Sequence, residues 1–124
     1  MKLVGEFQRN WDIDLDYGYD GESRVLELLN GANKVEVKTD TMAQRTGNIA
    51  VEFRCNGKPS GISTTEADYW AFVVLGGKVI YFIEVNRLKQ LAREEYKISG
   101  SVKGGDYHLS EMILIPIKNL IQNI

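Results

Sequence analysis

With one histidine, His108, and one cysteine, Cys55, the 124-residue chain has few routes to chemistry. Those counts exclude a zinc pair, a four-thiolate centre and an internal disulfide. No Gly-x-x-x-x-Gly-Lys-Ser/Thr loop occurs, and no Gly-x-Gly-x-x-Gly follows a strand pattern. A serine triad would have to recruit His108 from a weakly patterned loop, so His108 and Cys55 read as structural. The working groups are then carboxylates and lysines, which suit hard ions such as magnesium or manganese.

Asp12, Asp14 and Asp16 suggest a calcium loop, but Tyr17 stands where that loop needs glycine and Ser23 where it needs glutamate. A solvated strand face accounts for them better. The stronger constellation spans two middle strands. In the segment 34–40, Glu36, Lys38 and Asp40 share one side and Val35 and Val37 the other. In 49–54, Glu52 and Arg54 share a side against Ile49, Val51 and Phe53. Antiparallel pairing of these strands would gather Asp40, Glu52 and Lys38, with Val35, Val37, Val51 and Phe53 as the buried face. Two adjacent carboxylates repel, and a divalent cation between them relieves the repulsion. A lysine beside them stabilises developing phosphate charge or helps deprotonate a water. The same pattern also describes a surface sheet with cross-strand ion pairs.

Other residues have two readings. Ser60, Thr64 and Thr65 flank an expected helix and would touch phosphate through hydroxyls and helix-end amides, or serve as turn and cap residues. Trp11 and Trp70 offer stacking surfaces, although Trp70 is spaced with Ala67 and Val74 as a core residue. Tyr69 reads as exposed.

The elements that must position these groups follow from periodicity. Residues 13–19 alternate as an extended segment, and a helix covers 22–29 with Gly31 as its stop. Ser63 and Glu66 form a capping-box pattern that opens a second helix over Ala67, Trp70, Ala71 and Val74. Residues 78–85 read as a central strand, and Asn86 caps a helix using Leu88, Leu91 and Ala92. Residues 100–105 read as a loop, 112–115 as a last strand, and Pro116 opens a short terminal helix. No repeat or linker interrupts the pattern, so one α/β (α+β) domain over 1–124 is expected.

Charge is uneven. Residues 1–40 carry nine acids against five bases, and 41–124 carry eight against ten. A domain coating nucleic acid non-specifically is normally far more basic. The longest apolar runs are too short to span a membrane and no signal-peptide core opens the chain, so a cytoplasmic, intracellular protein is expected.

The stretch from Tyr17 through Glu22 to Leu29, then Val35-Glu36-Val37-Lys38-Thr39-Asp40, then Thr46-Gly47-Asn48-Ile49-Ala50-Val51-Glu52-Phe53-Arg54, resembles the PD-(D/E)XK nuclease superfamily. Small phage-type and Holliday-junction-resolvase-like members are the nearest in pattern, over roughly residues 17–85. The resemblance implies a restriction-endonuclease-like core with a central mixed sheet flanked by helices, elaborated over 86–124. It also implies a magnesium- or manganese-dependent endonuclease acting on DNA phosphodiesters, structure-selective in some members, located in the host cytoplasm if phage-encoded. Matched by motif, Glu22 is the helix glutamate, Asp40 the aspartate and Glu52 the second metal carboxylate. Arg54 stands where the family usually has lysine. Arginine clamps phosphate but does not readily accept a proton, so the lysine's role falls to Lys38 or Lys58. A different register takes Glu36-Val37-Lys38 as the Glu-x-Lys element with Asp20 before it. A catalytically inactive nucleic-acid-binding or assembly module on the same fold is the main rival, and an interaction domain with only surface charges is a third. A domain this small would need two copies to cut both strands, and the apolar segment 112–124 offers a homodimer interface or a core edge.

Overall fold

Residues 1–34 and 35–124 form two compact units. The structure, a computed structural model, describes the backbone of residues 15–31 and 33–122, with side chains from Gly21 onward. Trp11, Asp12, Ile13 and Asp14 lie outside the described residues.

In the first unit α1 spans Leu15–Leu29. The segment read as extended is therefore helical from Leu15 on. Leu15, Tyr19, Glu22, Leu26 and Leu29 also stand three or four apart, and a helix already nucleated over 22–29 gains a hydrogen bond with each residue added. Gly31, at φ 72°, stops it as expected.

The second unit holds two sheets. The first has the order β1-β4-β5, with β1 Val35–Thr39, β4 Tyr69–Val74 and β5 Val79–Glu84. β1 and β4 run parallel, while β4 and β5 are antiparallel. The second has the order β3-β2-β7-β6, with β2 Asn48–Cys55, β3 Lys58–Pro59, β6 Val102–Gly104 and β7 Ser110–Pro116. Two helices complete the unit: short α2 over Ala43–Thr46 and long α3 over Val85–Ser99. The chain is thus mixed α and β, and no helix among the described residues is long and apolar enough to cross a membrane.

Four expectations are overturned here. The second helix is instead a 3-10 turn, Gly61–Ser63, followed by strand β4. Its sequence, Tyr-Trp-Ala-Phe-Val-Val, is a six-residue apolar run rich in aromatic and β-branched side chains, which periodicity cannot assign but pleated packing favours. Second, β5 is an edge rather than a central strand, with Ile80 and Phe82 exposed. Third, β1 and β2 do not pair; they belong to different sheets. Fourth, Val37 is 62% exposed, so the Val35/Val37 side of β1 is not a buried face. Register explains this: Glu36 lies opposite Trp70 and Lys38 opposite Phe72, both fully buried, so the polar side of β1 turns inward.

The rest follows the sequence pattern closely. Leu88, Leu91 and Ala92 of α3 are buried, joining Ile49 and Val51 of β2, Trp70 and Phe72 of β4, and Ile113 and Ile115 of β7 in one core. The helix begins from Glu84 rather than Asn86, and the expected loop at 100–105 contains strand β6. Pro116 leads into the 3-10 turn Ile117–Ile121. Of the segment 112–124, Ile113 and Ile115 are core, and Leu114 and Ile121 keep large exposed surfaces.

Candidate functional site

Asp40 follows β1 directly, and its N–H donates to Val73 O of β4 at 3.0 Å. Its Oδ1 accepts the N–H groups of Met42 and Ala43, each at 3.0 Å, which caps the entry to α2. Its Oδ2 accepts the N–H of Ala50 at 3.3 Å. β3 pairs only with Arg54 and Cys55, so it does not reach Ala50. One carboxylate therefore ends a strand of the first sheet, starts a helix and holds an edge donor of the second sheet.

Glu52 is placed by β2 and β7. Asn48, Ala50 and Glu52 share the face opposite Ile49 and Val51, which are fully buried. The β2–β7 register shifts between Glu52 and Arg54, a bulge with Phe53 as the extra residue. Glu52 Oε1 accepts the hydroxyl of Ser110 at 2.6 Å, and its other oxygen makes no hydrogen bond among the described residues. Gly61 packs so tightly on the Glu52 carbonyl that a Cβ there would overlap it.

Lys38 Nζ lies 2.8 Å from Glu36 Oε2 and 4.9 Å from the Trp70 ring centre. Glu36 Oε1 in turn accepts the Thr65 hydroxyl at 3.1 Å. The same Thr65 oxygen accepts from Trp70 Nε1 at 3.1 Å and from Ala67 N at 3.2 Å. Thr65 thus spends its one donor and both lone pairs inside the protein.

Lys38, Asp40 and Glu52 line one cleft of about 540 Å³. Its apolar lining comes from Trp70 and Phe72 of the first sheet and Met112 and Leu114 of the second. The three residues expected to cluster line the same cleft, but from two sheets rather than from one strand pair. Among the described residues no group of three or more His, Cys, Asp or Glu side chains could hold a metal ion. Two carboxylates with water and substrate phosphate completing the shell remain an ordinary magnesium arrangement, and the free oxygen of Glu52 suits it.

The other singled-out residues are elsewhere. Glu22 is half-buried on α1 in the first unit, and its Oε2 is buried with no hydrogen-bond partner among the described residues. Lys58 is exposed beyond the Asn56–Gly57 turn and does not line the cleft. Arg54 pairs with Glu111 at 3.4 Å and lies 5.3 Å from the Phe53 ring centre. Ser60 and Thr64 flank only the 3-10 turn Gly61–Ser63, and the amides of Thr64 and Thr65 both bond Gly61 O, so they are used within the turn. The Ser60 hydroxyl is buried with no partner among the described residues.

Sequence reasoning missed Ser110 and the role of Thr65. Neither has a local signal, because each acts on a residue 58 or 29 positions away. Comparison of the chain with family models, curated proteins and solved structures gave no match.

Proposed function

We propose that this chain is a divalent-metal-dependent nuclease of the PD-(D/E)XK type, with a restriction-endonuclease-like core, cutting DNA phosphodiesters. The observation that supports the reading is that Lys38, Asp40 and Glu52 line one cleft. Asp40 and Glu52 would hold magnesium or manganese. When bound, such an ion polarises the phosphate and lowers the pKa of its water.

The chain's own residues do the positioning. Ser110 fixes the carboxylate of Glu52, and the three N–H donors fix that of Asp40. Lys38, anchored beside Glu36, presents a cation to the phosphate oxygens on which charge develops.

The test incubates plasmid and branched DNA with the protein, with and without magnesium. Cleavage that needs the metal and disappears in Asp40→Asn and Glu52→Gln supports the reading. Absence of cleavage with both magnesium and manganese overturns it. One observation favours the second reading, a catalytically inactive module: the Asp40 carboxylate already has a full structural role without any metal. Manganese titration separates the two, since an inactive module retains no cation dependent on Asp40.

A further inference from the structure

A second concave surface lies on the other side of β2. Glu52 lines the cleft, whereas its neighbour Phe53 lines a groove of about 560 Å³ against α3. Lys89, Arg93 and Lys97 line this groove. They recur every fourth residue, so they form one stripe along α3, about 6 Å apart along its axis. Arg54 adds a fourth cation, and among the described residues no acidic one lines the groove. On a chain of net charge −2 this concentration is local.

Like charges four apart on a helix oppose each other, so the stripe costs stability unless something answers it. The answer within the protein is partial. Lys97 has Glu94 at 3.5 Å with both side chains largely exposed, and Arg54 has Glu111. Lys89 and Arg93 make no ion pair among the described residues. Between the cations stands an aromatic pair: Phe53 and Tyr96 meet edge-on with ring centres 6.0 Å apart, and Tyr96 is half exposed.

We propose that this groove binds a single-stranded stretch of nucleic acid, its phosphates along Lys89, Arg93 and Lys97 and a base against Tyr96. The spacing of the cations is comparable to that of successive phosphates in an extended strand. The aromatic pair and the apolar floor of Ile62 and Ile113 select unstacked bases over a closed duplex, whose faces are hidden. An acidic peptide would answer the charges but gain nothing from Tyr96. The site goes beyond the cleavage reading and uses none of the three residues proposed to act in the cleft, Lys38, Asp40 and Glu52.

Fluorescence anisotropy of a labelled oligothymidine tests it, in chelator, so that a failure of metal chemistry and a failure of strand binding are read separately. The wild type is expected to bind at low salt, more tightly than it binds the same length of duplex. Lys89→Gln with Arg93→Gln should weaken binding at least tenfold and flatten the log–log salt dependence by about 0.7 for each phosphate no longer neutralised. Tyr96→Ala should weaken it on the order of tenfold with little change of salt slope. All these side chains are on the surface, and unchanged thermal melting confirms that the variants fold. Binding of both variants at wild-type strength overturns the proposal, as does tighter binding of duplex. Displacement of the oligonucleotide by poly-glutamate at matched charge, with Tyr96→Ala neutral, also overturns it.

Discussion

The Ser110 hydroxyl donates to Glu52 Oε1 at 2.6 Å, joining the start of β7 to the cleft face of β2. The hydroxyl orients one oxygen of Glu52 and leaves the other for a ligand. Partners of this kind typically change metal affinity or activity by 10- to 100-fold. Ser110→Ala should therefore weaken manganese binding by about tenfold in calorimetric titration, while costing only about 1 kcal/mol in urea unfolding. A variant that binds as the wild type does would remove Glu52 from the proposed metal set.

Asp40 combines a cap with a link between sheets, so its two obvious substitutions should separate. Asp40→Ala leaves the N–H groups of Met42, Ala43 and Ala50 without their acceptor. The expected loss is about 2–3 kcal/mol, from a lost cap and an unsatisfied edge donor. Asp40→Asn keeps an oxygen acceptor and should lose less than half of that, yet bind no manganese. Denaturant titration of both variants beside the wild type makes the comparison. Equal stability of the two would show that the three hydrogen bonds contribute little.

Two glycines with positive φ offer a controlled pair. Gly57, at φ 77°, has open space around the missing Cβ, so Gly57→Ala should cost only about 1–2 kcal/mol of backbone strain. Gly61, at φ 53°, faces the Glu52 carbonyl, so Gly61→Ala must displace β2 where it carries Glu52. A loss of about 3 kcal/mol or more is expected, along with manganese binding. Similar melting temperatures for the two variants would contradict the close packing.

Lys38 and Lys58 compete for one role, and the cleft separates them. Lys38→Ala should abolish cleavage, and Lys58→Ala should cut at the wild-type rate, since Lys58 lies outside the cleft lining. Single-turnover cleavage of the same plasmid decides it. The reverse result would place the phosphate-binding cation beyond the Asn56–Gly57 turn.

Thr65 predicts a purely structural effect. Thr65→Val removes the oxygen that takes Trp70 Nε1–H and Ala67 N–H and the donor to Glu36. Trp70 is 1% exposed, so its indole N–H finds no water in exchange. Destabilisation of about 2 kcal/mol is expected from thermal melts followed by tryptophan fluorescence.

What the sequence reveals of this architecture depends on how many faces an element buries. β2 covers the core with one face, so Ile49 and Val51 point in, and the placement of Ala50 and Glu52 on the opposite side is readable from alternation alone. α3 likewise shows its buried stripe at Leu88, Leu91 and Ala92. β4 buries Trp70, Ala71 and Phe72 in succession and so shows neither period. The face of β1 is illegible for another reason. Its partner, β4, begins 30 positions after Thr39, and only that register turns Glu36 and Lys38 toward Trp70 and Phe72. That Asp40 and Glu52 would both line one cleft could be expected from polar residues sharing sides locally, although the sheets that carry them could not.

The amide of Ala50, in the middle of β2, is held by a side chain from ten positions earlier, Asp40, instead of by another strand. Its exchange with deuterium therefore depends on whether that carboxylate stays in place. A ligand drawing Asp40 away would speed exchange at this one position, and a ligand that locks the carboxylate would slow it, while Ile49 and Val51 in the core keep their own rates. The protein carries at Ala50 a residue-resolved sensor of what happens at Asp40, readable by NMR without a label, a substrate or any substitution.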